Sequence, residues 1–158
     1  MFRQFKFEEA LYGPLDRIPV STQFKLDSLG VSLPLEAWKA LALPERWVFC
    51  HLSIRSRGER ECYLQYLTYV LQRDRIALPA PAGTAGPKKP WEDISRLPAE
   101  VAQKMRDMDL PLFWPEWIKL DDMERYTLFK LCKENADKES IRQAVQEFLG
   151  LSPSSAGA

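Results

Sequence analysis

Residues 18–52 read IPVSTQFKLDSLGVSLPLEAWKALALPERWVFCHL, and residues 97–131 read LPAEVAQKMRDMDLPLFWPEWIKLDDMERYTLFKL. Set one above the other at a constant offset of 79, without a gap, they share eight identities. These are Pro19/Pro98, Lys25/Lys104, Leu33/Leu112, Trp38/Trp117, Leu41/Leu120, Glu45/Glu124, Arg46/Arg125 and Leu52/Leu131. Further pairs exchange one apolar side chain for another, among them Leu26/Met105, Val31/Leu110 and Trp47/Tyr126. Two matched tryptophans and two matched Glu-Arg pairs in one register predict an internal duplication.

Each copy reads as helices. Ile18, Thr22, Leu26 and Leu29, matched by Leu97, Val101, Met105 and Met108, form a mostly apolar stripe at helical spacing. Pro19 suits a first helical turn, where its missing N–H has no intrahelical partner. Gly30 suits a left-handed C-terminal cap, and Asp109 takes that place in the second copy less comfortably. Pro34 and Pro115 each predict the opening of a short helix carrying Trp38 or Trp117. The next helix is expected near Pro44 in one copy and at Asp121 in the other, where Asp-x-x-Glu places Glu124 for a capping box. A fourth stripe follows in both, Tyr63, Tyr66, Leu67, Val70, Leu71 and then Ile141, Ala144, Val145, Phe148, Leu149. The expectation is an all-α protein of two pseudo-symmetric halves, about 15–78 and 91–150, with about four helices each. Residues 79–90, Pro-Ala-Pro-Ala-Gly-Thr-Ala-Gly-Pro-Lys-Lys-Pro, read as a flexible connector. Residues 151–158 read as a disordered tail. With about 75 residues per half, a shared core within a single domain over 1–150 is expected.

Composition narrows the chemistry. The 158 residues hold 22 Lys+Arg against 22 Asp+Glu, so no surplus of cations draws the chain to nucleic acid or anionic lipid. No apolar run approaches the roughly 20 residues of a membrane span. The start has no signal-peptide pattern, and Cys50, Cys62 and Cys132 do not form a disulfide framework, which predicts a cytoplasmic protein. The seven glycines allow no dinucleotide or P-loop fingerprint. His51 is the only histidine, and neighbours on a helix point about 100° apart, so Cys50-His51 is not a nucleophile–base pair. The cysteines lack the paired spacing of a zinc site and read as structural. Glu8-Glu9, Glu92-Asp93 and Asp121-Asp122 read as caps and solvated charges. A non-enzymatic chain with no cofactor and no metal site is the expectation. Trp38, Trp117, Glu45, Arg46, Glu124 and Arg125 read as structural members of the repeat, the Glu-Arg charges tying each helix to its predecessor. Trp91 and Trp114 near the half boundary, with the basic Arg55 and Arg57, are the candidates for a partner surface. The helix–turn–helix spacing before Trp38 raises DNA binding, but its second helix is too apolar to read a groove.

The order Phe5-x-Phe7-Glu8, Ile18-Pro19, Lys25-Leu26-Asp27, Gly30, Leu33, Trp38 and Glu45-Arg46 resembles the bacterial nitrate reductase-associated protein family. So do Pro90-Trp91, Leu97-Pro98, Trp117, Leu120, Arg125-Tyr126 and Leu128-x-Lys130-Leu131. The chain departs from the family pattern at Gln23, where a basic residue is usual, and at Asp109, where glycine is. The resemblance implies an accessory factor needed for the activity of assimilatory nitrate reductase, its partner being that enzyme or its immature form. It implies no catalytic residues. Two alternatives stand beside it: a small molecule or cofactor bound in a cleft between the halves, and a DNA-binding regulator.

Overall fold

The computed structural model describes residues 2–77 and 88–151. The tail beyond Leu151, and all of the connector except residues 88–90, lie outside the described residues. Among the described residues the chain is helical, with no strand. It forms α1 (Val20–Ser28), α2 (Leu35–Ala40), α3 (Leu43–His51), α4 (Arg57–Arg73), α5 (Ala99–Asp107), α6 (Trp114–Trp117), α7 (Asp122–Lys133) and α8 (Lys138–Phe148). Two 3-10 segments, Lys6–Leu11 and Pro90–Glu92, complete it. No described helix is long and apolar enough to cross a membrane.

The chain divides into two compact units. Residues 2–4 and 9–77 make the first, which contains α1–α4, and residues 5–8 and 88–151 the second, which contains α5–α8. The 3-10 helix Lys6–Leu11 is broken at Glu8 (φ −116°, ψ 21°), where the chain leaves the second unit for the first. Phe2 packs edge-on against Tyr12 and Trp47 in the first unit, while Phe5 meets the Phe148 ring at 5.4 Å in the second. Each unit has its own apolar core.

Local chemistry explains where the helices start and stop. Pro19 and Pro98 stand one residue before α1 and α5, in extended backbone, rather than inside the first turn. At the end of α1, Gly30 takes φ 72° and the Val31 N–H returns 2.9 Å to the Leu26 carbonyl, a Schellman turn. Asp109 makes the same turn at φ 52°, with Leu110 N–H on the Met105 carbonyl at 2.9 Å. An L side chain there is strained. Asp109→Gly is therefore expected to stabilise the second unit by about 0.5–1 kcal/mol, read as a higher urea midpoint; an unchanged or lower midpoint would contradict the strain argument. Asp121 and Glu124 close the expected capping box, Glu124 N–H to Asp121 Oδ1 at 2.8 Å and Asp121 N–H to Glu124 Oε2 at 3.0 Å.

Trp38 and Trp117 are completely buried, one in each core. The first core also holds polar groups. Lys25 is 4% exposed and its ammonium donates to the Cys50 carbonyl (2.6 Å) and the Leu52 carbonyl (2.7 Å), so it caps the C-terminal end of α3. Thr22 Oγ1 donates to Cys50 Sγ at 3.3 Å, and the Tyr63 hydroxyl to the Phe49 carbonyl at 3.2 Å. Burial pulls the Lys25 pKa down to about 8, with Cys50 acting in the opposite direction. The sign follows. Between pH about 8 and the unfolded lysine value of about 10.4, the unfolded chain holds the extra proton, so this group raises stability as pH rises through that window. Compared with Lys25→Met by urea unfolding, the wild-type chain is expected to gain ground between those pH values. A pH-independent difference would overturn this reading.

Candidate partner surface

The repeated Glu-Arg pairs do not tie each helix to its predecessor by an ion pair between them. Each glutamate turns back on its own helix start: Glu45 Oε2 accepts the Ala42 N–H at 3.1 Å, as Glu124 does for Asp121. Each arginine instead gathers backbone carbonyls from earlier in the chain. Arg46 donates to Leu41 (3.0 Å), Leu15 (3.1 Å) and Lys39 (2.7 Å). Arg125 donates to Trp91 (2.9 Å) and Leu120, and pairs with the Asp122 carboxylate. A guanidinium presents five donors in a fixed fork, so one side chain satisfies the ends of several loops at once. Glu45 has a separate ion pair with Arg73.

Cys50 and His51 separate as helical neighbours must. Cys50 is buried, whereas His51 is exposed and its Nδ1 lies 2.8 Å from the Trp47 carbonyl, which places the ring proton on Nδ1. Cys132 is buried too, and desolvation raises its pKa to about 11, away from the reactive thiolate. Cys62 is exposed. Among the described residues no three His, Cys, Asp or Glu side chains group as metal ligands.

The four residues expected at a partner surface do not share one setting. Trp91 is half-buried against the second core, edge-on to Tyr126 at 4.9 Å, tilted on Phe129 at 5.6 Å, and holds Arg125 through its carbonyl. These contacts pack it on the second core. Arg55 and Arg57 are exposed in the first unit, where Arg57 pairs with Glu61 at 3.0 Å along α4. Trp114 is 47% exposed in the second unit. Its indole N–H donates to the Ile94 carbonyl at 2.9 Å, which pins the ring to the loop before α5 and leaves a face open.

Trp114 has apolar company that the sequence reading did not name. Phe113, next in the chain, is 63% exposed; Ile94, whose carbonyl holds the indole, and Ile118, one turn along from Trp114, are exposed as well. Clustered exposed aromatic and branched side chains mark interaction surfaces. A signal for them lay in the offset-79 alignment of the sequence. At offset 79, Phe113, Trp114 and Ile118 stand opposite Pro34, Leu35 and Lys39. The two aligned segments agree at the buried tryptophans and differ here, the later one carrying larger or more apolar side chains. Packing demands explain agreement between the segments; an exposed difference needs a different reason.

Beside this patch, a groove of about 550 Å³ is lined by Leu120, Phe148 and Leu149, with Glu116, Lys119 and Glu124 among its polar members. Glu116 also links it to the patch, because its Oε2 accepts the Phe113 N–H at 3.0 Å.

A family model described as conserved nitrate reductase-associated protein matches residues 4–148 of the chain. No curated protein and no solved structure matches it.

Proposed function

Because the chain belongs to the conserved nitrate reductase-associated protein family, we propose that it is a non-catalytic accessory protein that binds nitrate reductase, or its immature form, in the cytoplasm during nitrate assimilation. The binding surface is the face around α6 formed by Ile94, Phe113, Trp114 and Ile118. The observation that carries this reading is the exposed Phe113–Trp114 pair, in which the Trp114 ring is held by its indole bond to Ile94. Aromatic side chains in that state lose little conformational freedom when a partner covers them, and they supply large contact areas.

The same observations favour a duplicated helical unit in which one copy has diverged. Trp38 and Trp117 are buried alike, and Arg46 and Arg125 each donate to the carbonyl five residues before them. The aromatic patch belongs to the second copy alone at the matched positions. Duplication supplies two packing units; divergence supplies the site.

Affinity purification of the full chain from nitrate-grown native cells tests the proposal. Nitrate reductase is expected in the eluate, and a strain lacking the protein is expected to have reduced reductase activity. Reductase activity unchanged by the deletion, with no reductase retained on the column, would sink the proposal.

A further inference from the structure

We propose that the end of α8 is a docking seat for a short segment carrying two phenylalanines spaced Phe-x-Phe. Residues 5–8 of this chain fill it in cis, and a segment of the partner protein with the same pattern takes their place. This rests on the reading of the α6 face as the partner surface, and it specifies what the partner brings beside that face.

The filled seat shows what it recognises. Phe5 is 2% exposed, and its ring meets the Phe148 ring edge-on at 5.4 Å. Phe7 stacks on Phe5 at 5.8 Å, 13° from parallel, and packs partly buried against the second core. Both separations lie in the range over which aromatic pairs attract beyond their buried area. Between the two rings the Lys6 N–H donates to Glu147 Oε2 at 3.1 Å, while the Lys6 side chain is exposed. The seat therefore reads two aromatic rings and the backbone between them. Aromatic anchors in apolar cover, with a backbone hydrogen bond to set the register, are how short segments are bound.

Three observations make residues 5–8 a ligand of the second unit rather than part of its frame. The fully buried members of the second core all lie between Val101 and Val145, so that core closes without the N-terminal segment. The chain on both sides, residues 2–4 and 9–77, belongs to the first unit, where Phe2 is held by Tyr12 and Trp47. Such tethering supplies the segment at an effective concentration of about millimolar, enough to fill a seat that so short a ligand binds weakly by itself. The 3-10 backbone is already broken at Glu8, so leaving the seat interrupts no continuous helix.

Phe148 joins the seat to the partner surface. The ring that meets Phe5 also lines the groove with Leu120 and Leu149 beside the α6 face. A partner covering Phe113 and Trp114 is carried along this groove to Phe148, where exchange lets it bury two further rings. Cis and trans segments of one pattern make like contacts, so the exchange is near balance and the partner's hold on the α6 face decides it.

The test uses the full chain, its Phe5→Ala/Phe7→Ala variant and a capped peptide of residues 4–9, with the NMR shifts of the Glu147 and Phe148 amides as the readout. The peptide is expected to shift both amides in the variant, and to bind wild type at least about tenfold more weakly because the cis segment competes. The same peptide with both phenylalanines replaced by alanine should shift neither. If the alanine variant loses its cooperative thermal transition, Phe5→Leu/Phe7→Leu keeps apolar bulk at both places and carries the same comparison. Equal affinity for wild type and variant, or no shift in a folded variant, would overturn the inference. In a reductase pull-down, emptying the seat should raise affinity about tenfold, since the competent state is no longer masked. A purely structural role for the two rings predicts weaker capture, and weaker or unchanged capture by a folded variant also overturns the inference. The peptide titration contains no reductase, so a wild-type chain that captures none sinks the function proposed above, while the seat stands or falls on the peptide.

Discussion

Replacing Trp38 by alanine is expected to destabilise the first unit by about 3–5 kcal/mol, the range for removing a large aromatic side chain from a core. Three observations put it there. The ring is fully buried and belongs to the cluster formed with Leu15, Leu41, Phe49, Tyr63 and Leu71. Its N–H donates to the Leu15 carbonyl at 2.8 Å. Leu15 itself is held at φ 46°, an unfavourable conformation for a residue with a side chain, so the bond helps keep a strained turn in place. Arg46 still reaches that carbonyl in the variant, which moderates the loss. Trp38→Phe separates the two contributions, keeping an aromatic ring while deleting the donor; about 1–2 kcal/mol is expected. The matched Trp117 gives an internal comparison. Its N–H lies 3.4 Å from the Asp93 carbonyl, a longer bond, so Trp117→Phe should cost less than Trp38→Phe. Urea unfolding followed by circular dichroism checks all three, and a Trp38→Ala variant within 1 kcal/mol of wild type, on the scale of surface substitutions, would show that the ring is not a core element.

Replacing Phe113 and Trp114 together by alanine is expected to abolish capture of nitrate reductase, lowering affinity by at least about a hundredfold, as the loss of two central aromatic anchors does. Stability should change little by comparison. Phe113 is mostly solvated, and the single indole bond of Trp114 to Ile94 is worth about 1 kcal/mol. That combination of intact fold and lost binding distinguishes a surface role from a packing role. Trp91→Ala supplies the contrast, because Trp91 packs on Tyr126 and Phe129 and should lose stability first. Quantitative pull-down with each variant, alongside thermal melts, reads both effects. If the double variant retains the reductase at wild-type levels, the partner surface lies elsewhere on the molecule.

How much of this was legible in the sequence varies with the range of the interaction. The Schellman turn at Gly30, its strained counterpart at Asp109 and the Asp121–Glu124 capping box all join residues within six positions, and their residue types announce them. The last apolar stripe of each unit was equally plain. Tyr63, Leu67, Val70 and Leu71 on α4, with Ile141, Ala144 and Val145 on α8, are buried as their spacing requires. The prolines were read one position too far inside α1 and α5, because a residue in extended backbone before the first turn and one in that turn have the same composition.

The site was legible only in part. Trp114 and Trp91 are both aromatics near the half boundary of the sequence, yet one stands exposed and the other is packed on the second core. What separates them is the set of rings that approach Trp91 from α7, some 35 positions later in the chain. Likewise the Lys25/Lys104 identity was visible in the offset-79 alignment, but nothing around Lys25 in sequence revealed that its ammonium would close the end of α3.

By itself, then, the amino-acid sequence determined that this chain is helical, where most of its helices begin and end, and which stripe of each is apolar. Those properties depend on backbone hydrogen bonds and side-chain spacing within a turn or two. The tertiary structure alone decided that Arg46 and Arg125 serve carbonyls rather than the glutamates beside them, that Lys25 is buried, and that Phe113 and Trp114 face outward. Each depends on a partner brought in from a distant part of the chain or on the lack of cover over a side chain. A carbonyl 31 or 34 residues away leaves no periodic trace in the sequence, and becomes a partner only once the helices have packed.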